Sequence, residues 1–304
     1  MFGIDAGGSK TLLRGEQIGG DGRVERRGPG ANPNRIGLEE AADVLVRLVE
    51  EGLPDDASPE RISVCAGVSG AGRTEEQEAL GDALRGALAA PGRTVHVEVV
   101  HDALIALDAA YDTDSGLIVI AGTGSVALAR TDEGTLLRVG GWGHLLGDPG
   151  SGYAVGQQGL RAVAEACDGG EATALRARLH DQFGIGDREQ LIHAVYQDGL
   201  SMQDVAPLVV DAAADDAVAA RILADEADGL AEQVGWLVNR AEAIAPRITL
   251  LGGMVQNDRY DEVLRARLHD HFPDWSVQQL QTEPVTGALR RARRLLQPDV
   301  ECSP

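Results

Sequence analysis

The chain has 304 residues, 43% of them hydrophobic and 25% charged, which is ordinary for a globular protein and enough for one large core or two of about 150 residues each. Its net charge of −21 argues against nucleic acid as a partner, because neutralising phosphates takes clustered Lys and Arg working against that field, and points to small molecules. The longest apolar runs, such as Leu117 to Ala121 and Leu208 to Val210, fall far short of the roughly 18 residues a membrane-spanning helix needs, so no membrane partner is expected.

Met1 leads straight into Phe2-Gly3-Ile4-Asp5 without the basic and apolar regions of a signal peptide, and a cytoplasmic location is expected. Cys65, Cys167 and Cys302 are scattered and odd in number, suggesting neither a disulfide framework nor a four-cysteine metal site. In chain order, Phe2 to Ala6 reads as a buried strand, Lys10 to Gln17 as its hairpin partner and Gly19 to Gly22 as the next turn. Leu38, Ala41, Ala42, Leu45, Leu48 and Val49 recur at helical spacing. Arg61 to Val68 reads as a strand, Glu75 to Ala89 as a helix, Thr94 to Val100 as an alternating strand and Ala103 to Ala110 as a short helix. The class is α/β, with strands ending in loops that can carry chemistry.

At Gly116 the pattern restarts. Ile4-Asp5-Ala6-Gly7-Gly8-Ser9-Lys10-Thr11-Leu12-Leu13-Arg14 lies over Ile120-Ala121-Gly122-Thr123-Gly124-Ser125-Val126-Ala127-Leu128-Ala129-Arg130 with Ile, Gly, Ser, Leu and Arg matched in register. Either two glycine-rich hairpins coincide by chance, or the chain holds two copies of one strand–turn–strand unit. After Gly150 the pattern is mostly helical, and Leu223, Ala227, Leu230, Val234, Leu237, Val238, Ala241 and Ala245 predict one long amphipathic helix ending before Pro246. Arg247 to Leu251 returns to a strand, followed by the turn Gly252-Gly253, a helix near Tyr260 to Phe272 and a last helix from Pro284 to Leu296.

Three glycine turns each follow an apolar strand: Asp5-Ala6-Gly7-Gly8-Ser9-Lys10-Thr11, Ala121-Gly122-Thr123-Gly124-Ser125 and Leu251-Gly252-Gly253-Met254. Glycine lets backbone N–H groups approach anionic oxygens closely, so two such turns together could grip a polyphosphate; each alone could be no more than a turn. Lys10 is the only lysine in the chain and stands inside the first of them. Asp102 follows a strand and precedes a helix, which suits either a carboxylate projecting from a strand end or a cap for the helix near Ala103.

In this order the turns resemble the first phosphate, second phosphate and adenosine motifs of the sugar kinase, heat-shock chaperone and actin superfamily. Within it, Gly140-Gly141-Trp142-Gly143-His144-Leu145-Leu146-Gly147-Asp148-Pro149-Gly150-Ser151-Gly152-Tyr153 is similar to the signature of the N-acetylglucosamine kinase and BadF/BadG/BcrA/BcrD ATPase family. The resemblance covers nearly the whole chain. It implies two ribonuclease-H-like domains with an interdomain cleft: 1–111, completed by the last helix at 288–304, and 112–287 with a helical insertion. It also implies ATP, Mg²⁺ held at Asp5, and phosphate contacts from Gly7, Gly8, Ser9, Lys10, Thr11, Gly122, Thr123, Gly124 and Ser125, with Gly252 and Gly253 at the adenosine.

The implied reaction moves the γ-phosphate to a hydroxyl, the 6-hydroxyl being preferred, of N-acetylglucosamine or a related amino sugar, with Asp102 accepting the hydroxyl proton. Asn32, Ser69, Asp102, Trp142, Gly143 and Asp148 are the implied sugar ligands; Asn and Asp supply donors and acceptors for hydroxyls and Trp an apolar face. Asp148 could instead only open a turn before Pro149. Where relatives carry Glu, this chain has Pro149, a departure that removes a polar group from the network the resemblance implies at the sugar's 2-substituent. His144 reads as structural, and His269-Asp270-His271 as a solvated helix face. A homodimer is expected by analogy. The competing readings are a glucosamine kinase, a BadF-type ATPase activator without a sugar acceptor, which would need iron–sulfur ligands, and a sugar-sensing regulator, which would need a DNA-binding extension.

Overall fold

The computed structural model describes residues 1–53 and 59–297; Cys302 lies outside them. Among the described residues ten strands form two five-stranded sheets, and the chain divides into two units, Met1–Asp114 with Leu280–Pro304, and Ser115–Gln279.

In the first unit β1 (Phe2–Ala6), β2 (Lys10–Glu16), β3 (Arg23–Pro29), β4 (Arg61–Val68) and β5 (Thr94–His101) lie in the order β3-β2-β1-β4-β5. β1 pairs antiparallel with β2 and β2 with β3, while β1–β4 and β4–β5 are parallel. In the second unit β6 (Gly116–Ala121), β7 (Ser125–Arg130), β8 (Leu136–Gly140), β9 (Arg247–Leu251) and β10 (Ser276–Gln279) lie in the order β8-β7-β6-β9-β10 with the same alternation of senses. The two units thus repeat one topology. Residue for residue the repeat does not hold, because four residues separate Ala6 from its partner Thr11 and three separate Ala121 from Ser125. A tighter second turn shifts the register of everything after it.

Alternation explains the strands. β4 is buried along nearly its whole length, as a central parallel strand must be, and Ile62, Val64, Ala66 and Val68 join Ile4, Leu13, Leu45 and Leu84 in the first core. The helices Leu38–Gly52 and Thr74–Leu88 cover this sheet through Ala41, Leu45, Leu48, Leu80 and Leu84. The second core gathers Leu117, Val119, Ile248 and Leu250 of the sheet with Val155, Val209, Leu230 and Leu264 from helices. The long helix runs Ala217–Arg240 and stops earlier than its apolar spacing predicts. The chain after it is drawn off by tertiary bonds: Asp132 donates its N–H to the Ala243 carbonyl, and Ala245 donates to Ser115 Oγ.

The last helix, Val285–Arg294, packs on β1 and on the helix Asp102–Tyr111. Two glycines make the approach possible. A methyl group on Gly3 would lie 2.4 Å from the Leu289 nitrogen, and one on Gly287 would lie 1.9 Å from the Ile105 carbonyl oxygen. Beside them the fully buried Asp108 carboxylate takes Arg291 Nη1 at 2.9 Å and Arg294 Nη2 at 2.7 Å, and Glu98 takes Arg291 Nε at 3.0 Å. Gly287→Ala is therefore expected to cost about 2 kcal/mol or more by overpacking. Thermal melting checks this; a melting temperature equal to that of the parent would mean the helix can shift freely.

Candidate active site

Asp5 is half-buried near the end of β1, and the turn that follows is closed by the Gly7 N–H donating to the Lys10 carbonyl at 2.9 Å. Gly8, Ser9 and Lys10 are exposed. Burial, then the charge of Asp102, push the Asp5 carboxyl up to about 6; Lys10 pulls the other way and Glu283 adds to the rise. Carboxylates crowded in this way, with one lysine that does not neutralise them, fit a hard divalent cation, which takes oxygen ligands. Thr11 departs from expectation: it is buried and donates its hydroxyl to the Pro29 carbonyl at 2.7 Å. Gly8, Ser9 and Lys10 stay exposed at the tip of the turn.

β5 delivers His101 and Asp102 to the start of the next helix. The N-cap is His101 and Asp102 is the first helical residue, one position later than a capping role for Asp102 requires. Asp102 Oδ1 nonetheless accepts the Ala103 N–H at 2.8 Å, and it lies 2.9 Å from His101 Nδ1. Nδ1 also lies 3.2 Å from the Ala103 nitrogen, but one ring nitrogen cannot both give and take a proton. With the amide directed at the carboxylate at the shorter distance, Nδ1–H donates to Asp102. Burial alone would raise the Asp102 carboxyl, but His101, the Ala103 N–H and the Ser69 hydroxyl together hold it below the usual carboxylate value. It is ionised at neutral pH with 34% of its side chain exposed.

Ser69 and Gly70 follow β4, and the Ser69 N–H donates to the Ala6 carbonyl at 2.8 Å. Gly70 (φ +86°) faces Asn32: a methyl group there would meet Asn32 Oδ1 at 2.3 Å. Asn32 Oδ1 caps the short turn Pro33–Ile36 by accepting the Asn34 N–H at 2.9 Å, and Asn34 Nδ2 donates to the Gly70 carbonyl at 3.0 Å. The same loop reaches the phosphate-type turn twice, through Ala31 N–H to the Gly7 carbonyl at 3.1 Å and Arg35 Nη1 to the Gly8 carbonyl at 3.1 Å. Asp5, Lys10, Asn32, Ser69 and Asp102 thus belong to one connected set of loops in the first unit.

In the second unit the turn Gly122–Gly124 is held by Gly122 N–H donating to the Gly124 carbonyl at 2.9 Å. The helix Gly152–Cys167 starts against it, with Gly152 N–H donating to the Gly122 carbonyl at 2.7 Å and Tyr153 N–H to the Thr123 carbonyl at 3.3 Å. Its first N–H groups are committed to these carbonyls. Ser125, like Thr11, is buried and donates its hydroxyl to a carbonyl, that of Pro149, at 2.7 Å. Gly252 (φ +111°) admits no side chain, since a methyl group would lie 2.2 Å from the Ala121 carbonyl oxygen, whereas Gly253 faces open space.

Asp148 is 4% exposed and adopts φ +66°, and its Oδ1 has no hydrogen-bond partner among the described residues. Burial raises its carboxyl, against the N–H groups of Gly143 and Ser125. A buried carboxylate oxygen without a donor is the arrangement a ligand hydroxyl would complete. Pro149 packs toward Gly229, and Gly150 is clamped on both sides: its N–H donates to Glu226 at 2.9 Å and its carbonyl accepts the Tyr260 hydroxyl at 2.5 Å. Trp142 is 74% exposed, with Leu145 and Leu146 still more so, and His144 stacks on Tyr153 with centroids 4.2 Å apart. His271 pairs with Asp228 at 3.2 Å on an exposed helix face, and among the described residues no three His, Cys, Asp or Glu side chains converge as a metal site, so a cation at Asp5 would take its remaining ligands from water and substrate.

The family model for the BadF/BadG/BcrA/BcrD ATPases matches residues 2–290. The chain belongs to that family. An N-acetylmuramic acid/N-acetylglucosamine kinase of Clostridium acetobutylicum is 34% identical over 96% of this chain and 98% of its own, and an N-acetyl-D-glucosamine kinase of Dictyostelium discoideum is 27% identical over 95% and 96%. A solved structure of a candidate N-acetylglucosamine kinase from Chromobacterium violaceum has a TM-score of 0.74 at 25% identity, covering 97% of this chain and 98% of that one. A glucokinase from Streptomyces griseus, solved with glucose and AMPPNP, shares the fold at a TM-score of 0.55 and 16% identity. The fold is that of the actin-like sugar kinases in this BadF/BadG/BcrA/BcrD member. Sequence reasoning missed His101, Glu283, Glu226 and Arg35. His101 left a trace as the residue next to Asp102 and Arg35 as a neighbour of Asn32; Glu226 and Glu283 come in from elements distant in the chain.

Proposed function

We propose that this protein is an ATP-dependent kinase of amino sugars that phosphorylates N-acetylglucosamine or a close relative at its 6-hydroxyl. The observation that carries the reading is the ionised Asp102 carboxylate, fixed by His101, Ala103 and Ser69 in the same loop set as the Gly7–Lys10 turn. A phosphoryl acceptor needs its hydroxyl oriented and its proton taken, and Asp102 does both. Its low affinity for protons means that it orients the hydroxyl first and takes the proton late, as the new bond to phosphorus forms.

Asp5 would hold Mg²⁺, which when bound would neutralise charge on the donor phosphates. Gly8 and Ser9 contact the phosphates with N–H groups and Lys10 with a point charge, Thr123 and Gly124 do so from the second unit, Gly7 and Gly122 close the two turns with their own N–H groups, and Gly252 and Gly253 lie at the adenosine, with Gly253 leaving it room. Asn32, Ser69, Trp142, Gly143 and Asp148 bind the sugar, with Asp148 Oδ1 accepting a hydroxyl. Thr11 and Ser125 shape these turns rather than donate to phosphate, their hydroxyls being committed to carbonyls. The two units, Met1–Asp114 with Leu280–Pro304 and Ser115–Gln279, are proposed as the two ribonuclease-H-like domains; the boundary at 287/288 expected from the sequence would cut the helix Val285–Arg294.

Cys65 is fully buried within β4 and Cys167 stands at the end of a helix in the other unit, and no group of three or more His, Cys, Asp or Glu that could hold a metal occurs among the described residues. That weighs against the electron-transfer activator reading. Free thiols at Cys65 and Cys167 suit a reducing, cytoplasmic setting. No helix among the described residues is long and apolar enough to cross a membrane. The expected homodimer would sediment at twice the chain mass. The activity is tested by coupled ADP release with Mg-ATP against N-acetylglucosamine, glucosamine, N-acetylmannosamine, glucose and a no-sugar blank. Release that depends on an amino sugar is the expected result, and a flat panel would end the kinase reading.

A further inference from the structure

Arg35 is exposed and stands on the turn Pro33–Ile36, three residues after Asn32. Its Nη1 is anchored to the Gly8 carbonyl at 3.1 Å, so close that a methyl group on Gly8 would lie 3.1 Å from that same nitrogen. Among the described residues it forms no ion pair, as Arg26, Arg138 and Arg290 also do not; what sets it apart is that the carbonyl it holds lies inside the phosphate-type turn. Lys10, in the turn it touches, has Asp5 as a charge neighbour. An arginine held by one nitrogen to a neutral carbonyl keeps its other donors for a ligand, and its planar fork matches the oxygens of a phosphoryl group.

Resting on the kinase reading above, we propose that Arg35 is a further catalytic residue, contacting the phosphoryl group while it moves from nucleotide to sugar. In that step the acceptor oxygen forms its bond to the γ-phosphorus and gives its proton to Asp102. The bond from the γ-phosphorus to the bridging oxygen breaks, and its electron pair leaves with ADP. Charge spreads over the three transferred oxygens, where a guanidinium bound at the Gly8 edge of the turn stabilises it. The loop that supplies Asn32 to the sugar thereby also supplies a cation to the phosphoryl group. Contact at Gly8, inside the phosphate-type turn, favours this over recognition of an acidic substituent on the sugar.

The test is steady-state kinetics of Arg35→Ala, Arg35→Lys and Arg35→Gln with saturating Mg-ATP, using neutral N-acetylglucosamine and acidic N-acetylmuramic acid as acceptors. With Arg35→Ala, kcat is expected to fall about 100-fold or more on N-acetylglucosamine, and by the same factor on any acidic acceptor the parent uses, with little change in sugar KM or melting temperature. Arg35→Lys should recover part of the loss and Arg35→Gln none. An unchanged kcat on the neutral sugar overturns the proposal. So does a loss confined to the acidic acceptor, which would assign Arg35 to the sugar's carboxylate, and so does full recovery in Arg35→Gln, which would reduce it to holding the Gly8 carbonyl. A parent protein without sugar-dependent ADP release would instead bring down the kinase reading itself.

Discussion

Asp102→Asn is expected to lower kcat by a factor of about 10² to 10⁴, the range that a positioned acid or base supplies, while sugar and ATP still bind. The substitution tests the role and not the fold, because the amide oxygen of Asn can still accept the Ala103 N–H that Oδ1 now takes at 2.8 Å. What disappears is the negative charge that draws the His101 proton and the sugar hydroxyl. The melting temperature should therefore move little. A purely structural Asp102 would give the opposite pattern, a lower melting temperature with kcat preserved in the surviving folded fraction. Measuring kcat, KM and melting together separates the two.

Asp5→Asn should abolish turnover and yet stabilise the ligand-free protein at pH 8. The reason is the direction of its pKa. The Asp5 carboxyl titrates at about 6 in the folded chain against 3.8 when unperturbed, with burial and Asp102 as the leading causes. Between those two values the folded state binds a proton that the unfolded state has lost. Stability therefore falls as pH rises through that window, and above pH 6 the folded chain carries the full cost of a crowded carboxylate. A displacement of about two pKa units corresponds to about 3 kcal/mol. Asparagine cannot ionise, so the variant escapes that cost. Its melting temperature should exceed that of the parent by several degrees at pH 8, and the gain should vanish near pH 4. Adding Mg-ATP should stabilise the parent more than the variant. An Asp5→Asn protein that is less stable at both pH values would show that the carboxylate serves the fold rather than a cation.

The glycine turns were legible because their chemistry is local. A hairpin that must close tightly and leave its N–H groups accessible needs Gly, and the sequence places Gly7, Gly8, Gly122, Gly124, Gly252 and Gly253 after apolar strands. The doubled topology was legible as a restart at Gly116, although the shorter second turn spoils a residue-by-residue overlay. β3 and β10 were not legible. Arg23-Val24-Glu25-Arg26-Arg27 is mostly exposed at a sheet edge and Ser276–Gln279 is short and polar, so neither carries the alternation that marks a half-buried strand.

The site was half readable. Asp5 and Lys10 announce themselves by flanking glycines at strand ends, Asp102 by standing between a strand and a helix, and Asn32 by opening a turn before Pro33. Glu283 could not be read, because it comes to Asp5 only when the last helix docks on β1, through glycines that look unremarkable in sequence. Glu226 bonds Gly150 from far along a helix whose apolar face gives no sign of it. Thr11 and Ser125 looked like phosphate ligands by motif, and only the paths of β3 and of the loop before Ser151 show where their hydroxyls go.

The product itself tests the central claim most directly. Phosphorus NMR of a reaction with Mg-ATP and N-acetylglucosamine should show a new phosphomonoester signal coupled to two protons, those on the sixth carbon of the sugar, growing in step with ADP. Inorganic phosphate alone would mean hydrolysis without an acceptor, and a signal coupled to a single anomeric proton would place the phosphate on another hydroxyl; either would contradict the account.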